Sequence, residues 1–111
     1  MDKFSIDALK MLYVIYQKPK IYLGSKSLSC LKLFLDGFAA GYSFPNVESF
    51  LPSFQDYISN KYNCILSISW SSILLYNSGE NEEMAFDLFF EELESYFSTN
   101  GINISEIKSG H

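Results

Sequence analysis

The 111-residue chain is 48% hydrophobic and 17% aromatic, enough for one domain spanning 1–111 with a core that needs neither disulfide nor metal. It is acidic, with a formal net charge of −5, and contains no arginine. Nucleic-acid binding leans on Arg and Lys contacts to phosphate, so this balance argues against a nucleic-acid partner and fits a basic protein partner.

The charge is unevenly placed. Residues 1–32 hold six lysines against Asp2 and Asp7, whereas residues 33–111 hold Lys61 and Lys108 against eleven acids. Such asymmetry predicts a polarised surface. Cys30 and Cys64 fall in apolar helical patterns and read as reduced core thiols of a cytoplasmic protein. Lys3, Asp7 and Lys10 interrupt any leader-like apolar run, and no run approaches the roughly 20 apolar residues of a membrane span. The expected location is the cytoplasm, with no membrane partner.

A first helix is expected over 6–17. Ser5 is the candidate N-cap, and Leu9, Leu12, Tyr13, Ile15 and Tyr16 form a broad apolar face. Pro19 bars this helix from running on. A loop through Tyr22 to Lys26 then leads into a central helix, capped by Ser25 or Ser27. In that helix Leu28, Leu31, Leu35, Phe38 and Tyr42 recur at three- and four-residue steps, with Lys32 and Asp36 opposite. Gly37 and Gly41 admit a close neighbour or mark the helix end.

Ser43 to Asn46 is a turn signal, and a third helix begins either near Asn46 or at Pro52 and runs to about Tyr62 on Phe50, Phe54, Tyr57 and Ile58. Residues 63–68 alternate partially and are open to a short strand. The favoured reading is a loop into a fourth helix starting near Ser67 or Ser69, with Trp70, Ile73, Leu74 and Tyr76 on its apolar side and Trp70 in the core. The last helix runs from about Asn81 to Ser98. One apolar row is Ala85, Phe89, Leu93 and Tyr96, and the adjoining row is Phe86, Phe90, Leu93 and Phe97. The tail from Ile102 packs as a strand or short turn, or frays. The expected fold is all-α, a single compact domain of about five helices, with a short strand left open near 63–68 or in the C-terminal tail.

Part of this pattern resembles a known family. Pro19, Tyr22, Leu23, Gly24, Ser27 and Leu28, then Phe34, Leu35 and Gly37, then Trp70 and the run Ala85 to Phe90, resemble small bacterial immunity proteins of polymorphic and contact-dependent growth inhibition toxins. The likeness covers most of residues 10–97. The chain departs from the family pattern at Lys20-Ile21, where Gly-Met is usual, and at Phe38, where Tyr is usual. The resemblance implies an immunity protein that binds a cognate toxin C-terminal domain in a 1:1 complex and blocks its active site.

Residues suited to catalysis are sparse. The single histidine, His111, lies at the chain end, and no zinc spacing or glycine-rich phosphate loop occurs. The expectation is a non-enzyme without cofactor or metal. What remains is an acidic constellation. Glu83, Asp87, Glu91 and Glu94 recur at steps of four, four and three on the last helix, opposite its Phe face, with Glu80, Glu82 and Glu92 flanking them. Like charges four apart weaken a helix by about 0.2–0.5 kcal/mol per pair. Either this is a solvated face balanced by lysines brought near in space, or it is a surface complementary to a basic protein such as a nuclease. The candidate partner-binding residues are therefore Glu80, Glu82, Glu83, Asp87, Glu91 and Glu94, with Tyr22 as a rim residue. Lys18, Lys20 and Lys26 are either solvated or paired with the acidic helix. The alternative function is a helical interaction or regulatory module with no toxin partner.

Overall fold

A computed structural model describes residues 3–41 and 49–102. Six helices occur among them: α1 (Lys3–Gln17), α2 (Pro19–Leu23), α3 (Leu28–Ala40), α4 (Leu51–Lys61), α5 (Trp70–Asn77) and α6 (Glu82–Thr99). The all-α expectation holds, and the described residues contain no strand. Residues 63–69 form a loop. Tyr42, the turn over 43–46 and the tail from 103 to 111 lie outside the described residues.

Local signals set most boundaries. Ser27, with extended backbone, accepts from the Cys30 N–H at 3.2 Å and caps α3. Ser69 does the same for α5 through the Ser72 N–H, and Asn81 for α6 through the Met84 N–H at 3.0 Å. At the other end of α6, Gly101 adopts φ +73°. The Gly101 N–H reaches Ser98 O and the Ile102 N–H reaches Phe97 O, which closes the helix with a left-handed residue that glycine takes without strain. Pro52 sits in the first turn of α4, where its missing N–H costs nothing, so the later of the two starts is the observed one.

Several expectations need correction. α1 starts near Lys3, so Ser5 lies inside it and caps nothing at its start; the buried Ser5 hydroxyl instead accepts from the Phe50 N–H at 3.2 Å and ties α1 to the head of α4. Residues 19–23 form a helical turn, with Pro19 at its start and no residue buried. Cys64 is in the loop after α4, and both cysteines are free and half-buried. Tyr76, placed on an apolar face by its spacing, is largely exposed, whereas Tyr16, half-exposed, keeps its ring against Phe86 and Phe90.

The core forms where α6 lies against α3, α4 and α5, while α1 packs on α3. Both predicted rows of α6 are buried throughout. Phe54 stands at the centre, with its ring edge-on to Trp70, Phe89 and Tyr96 at centroid distances of 5.6, 5.7 and 5.6 Å. Such edge-to-face contacts add about 0.5–1.5 kcal/mol each beyond burial. Tyr13 and Tyr16 carry the packing across to Phe90 and Phe86, fixing α6 on a second side. The result is a helix held by one face, with its other face turned outward.

Candidate functional site

That outer face holds Glu83, Asp87, Glu91 and Glu94, all exposed, as the helical spacing requires when Phe86, Phe89 and Phe90 occupy the inner face. Residues three and four apart on a helix have Cβ atoms about 5–6 Å apart, so the four acids form a ladder suited to meeting cationic side chains.

Two of these four acids have partners within the chain. Asp87 pairs with Lys26 at 3.0 Å, and both side chains are partly exposed. The same ammonium lies 5.8 Å from the centre of the Phe86 ring. One entry-loop lysine is thus brought to the acidic helix. Glu94 accepts from the Tyr13 hydroxyl at 3.5 Å; burial first, and the Glu94 charge second, push the Tyr13 phenol upward. Glu83 and Glu91 are the outward pair on either side of Asp87.

The flanking acids separate into different environments. Glu80 is exposed in the turn between α5 and α6, at φ +63°. Glu82 turns away from the stripe to the N-terminus of α3. It accepts from the Ser29 hydroxyl at 2.7 Å, the Ser29 N–H at 2.9 Å and the Ser27 hydroxyl at 3.1 Å. The Ser29 hydroxyl and N–H, in that order, hold the Glu82 carboxyl below the ordinary carboxylate range. Tyr22 stands half-exposed on α2, an element that packs on α1 and α3.

Glu92 is buried. Its carboxylate accepts from the Lys61 ammonium at 2.5 Å and from the Tyr62 hydroxyl at 2.5 Å. Burial, then the bond to Glu92, push the Tyr62 phenol upward, and the bond to Glu92 likewise raises Lys61. Sequence reasoning set Glu92 beside the stripe, yet a signal for burial was present. Glu92 is three residues after Phe89 and four before Tyr96, in phase with the inner row. Glu82 is likewise three residues before Ala85.

Among the described residues, no group of three or more His, Cys, Asp or Glu side chains is placed to hold a metal ion, and no helix is long and apolar enough to cross a membrane. No protein-family model, curated protein or solved structure matches this chain.

Proposed function

We propose that this chain is an immunity protein that neutralises a cognate toxin domain, a basic nuclease, by binding it 1:1 through the outer face of α6 and covering its active site. It acts in the cytoplasm by association alone, with no catalysis and no cofactor. The observation that supports this reading is the exposed ladder Glu83–Asp87–Glu91–Glu94 on a helix whose opposite face is fully packed. A rigid row of carboxylates costs the free protein mutual repulsion, which a cationic cleft relieves. Its largest effect falls on association rate and partner choice. The resemblance in the Pro19–Gly37 segment supports the same reading.

One observation favours a second reading, a helical interaction module with no toxin. Glu82, Asp87 and Glu92 are each engaged within the chain, so part of the acidic run serves the fold itself.

The two are separated by co-expression with the C-terminal domain encoded by the gene immediately upstream. Wild type restores growth and binds that domain under the first reading. Glu83→Lys with Glu91→Lys leaves Glu82, Asp87 and Glu92 untouched. It slows association at low salt, an effect that fades as salt rises. An upstream domain that neither harms cells nor binds leaves the second reading standing.

A further inference from the structure

The loop between α4 and α5 presents more apolar surface than the chain needs for its own core. Ile65 is 96% exposed, Leu66 66% and, just beyond, Tyr76 on α5 is 75% exposed. Tyr76 lines a groove of about 480 Å³ together with Tyr62, Cys64, Ile68 and Ile73. An apolar groove open at the surface marks a contact site more often than singly exposed apolar residues do.

The loop is also held in place. Gln55 donates from Nε2 to Ile68 O at 2.9 Å and accepts from the Trp70 N–H at 2.7 Å. The Cys64 N–H reaches Ser59 O at 2.8 Å. Both ends of the loop are therefore fixed to α4, and its aliphatic side chains are presented on an ordered backbone. Pre-organisation of this sort lowers the entropic cost of binding.

The charged residue lining the groove is an acid, Glu80, and Asp56 lines a neighbouring hollow that shares Cys64 and Ile68 with it. Glu91 lies near enough to Tyr62 for its charge to contribute to raising that phenol. Lys61, the nearest cation in sequence, is engaged with Glu92. A second copy laid face to face would bring the same carboxylates together, whereas a cationic partner would be matched.

We infer that this groove is the apolar centre of a docking surface for a basic, amphipathic segment of a partner protein. One apolar side chain of the segment sits among Tyr62, Ile68 and Tyr76, and its flanking Lys or Arg side chains meet Glu80 and Glu91. The inference rests on the immunity reading only for the partner's identity. It adds a contact beside the α6 ladder, joined to it through Glu91.

Cys64 lines the groove and Cys30 does not, so thiol alkylation reports occupancy. The probe is a helical Leu/Lys peptide of about 14 residues, or four turns, with a Leu/Glu peptide as control. At about ten times its dissociation constant, the Leu/Lys peptide slows Cys64 alkylation by about tenfold and leaves Cys30 unchanged. Tyr76→Ala and, separately, Ile68→Asp remove that protection while circular dichroism stays helical; Tyr76 is exposed enough for its variant to fold. Equal protection by the Leu/Glu peptide, equal slowing at Cys30, or no slowing at all overturns the inference. So does Cys64 protection that grows with protein concentration alone, which would make a second copy the occupant. If the upstream toxin domain binds wild type and Tyr76→Ala with equal affinity, the groove lies outside the contact and only this inference falls. If no toxin domain binds while the Leu/Lys result holds, the groove stands and the immunity reading falls.

Discussion

Glu82 and Ser29 join the starts of two helices: the carboxylate at the head of α6 takes both the hydroxyl and the N–H of Ser29, at 2.7 and 2.9 Å, in the first turn of α3. A helix N-terminus has unsatisfied N–H groups and a partial positive charge, so an ionised carboxylate suits it better than a neutral amide.

Glu82→Gln therefore destabilises the fold by about 1–2 kcal/mol, the scale of charge-assisted hydrogen bonds at a partly exposed site. The pH dependence has a definite sign. The folded carboxyl is held below its ordinary value of 4.5, so its contribution is present above that value and is lost as pH falls through the lower folded one. Urea melts between pH 6 and pH 3 show a shallower acid limb for Glu82→Gln than for wild type. Superimposable limbs would mean that another carboxylate governs acid unfolding.

The buried Glu92 makes the opposite demand on pH. Tyr62 and Lys61 are both pushed upward, so the stability they contribute is full at neutral pH and declines as pH rises past their ordinary values near 10. Removing the carboxylate leaves two donors facing a partly buried gap. Glu92→Ala costs about 1–3 kcal/mol, under the full figure for a buried pair because the Lys61 side chain is 43% exposed. A double-mutant cycle with Tyr62→Phe gives a coupling above about 0.5 kcal/mol. Additive losses would show that the short contact contributes no pairwise stability.

Periodicity made most of this architecture legible. The two rows of α6 needed only the spacing of Ala85, Phe89 and Tyr96 and of Phe86, Phe90 and Phe97, and Asn81 announced its start; for α3 and α5 the local signals left Ser25 or Ser27 and Ser67 or Ser69, and the second of each pair is the cap. Partners distant in sequence were less accessible. Ser5 reads as a cap by local rules, and nothing near it shows that Phe50 will bring an N–H to its hydroxyl. Residue type misled at Glu92 and Glu82: their phase belongs to the inner side of α6, but the presumption that glutamate faces water overrode it. The stripe was legible as a ladder, whereas its pairing with Lys26 depends on how α3 docks. The apolar groove escaped because half of it is loop, where spacing carries no information about burial.

Within α3, residues of one apolar row carry unequal weight. Leu35 is 1% exposed, whereas Phe38 is half-buried, stacked on Phe34 and tilted against Phe4 at 5.9 Å. Leu35→Ala costs about 2–5 kcal/mol, and Phe38→Ala, although it removes more atoms, costs less, about 1–3 kcal/mol. Urea midpoints at constant slope rank the two; a larger loss at Phe38 would place it deeper in the core than its exposure indicates.

Gly37 offers a change in the other direction. Its sequence reading, a close neighbour or a helix end, finds neither: a Cβ built there meets nothing within 4 Å, and the residue is an exposed position inside α3 with no positive φ. Glycine at such a position only adds freedom to the unfolded chain, so alanine should stabilise α3 by about 0.5–1 kcal/mol. For a domain of this size that is a rise of several degrees, about 2–6 °C, in the melting temperature. Gly79 and Gly101 provide the contrast. Their φ values of +66° and +73° strain any L side chain, so Gly79→Ala and Gly101→Ala lower the melting temperature even though both sites are equally open. Thermal melts of the three variants separate conformational from steric causes, because none of the three added methyl groups has a neighbour to strike. A Gly37→Ala variant that melts below wild type would show that α3 needs a weak point at its middle, and the argument from open space would fail.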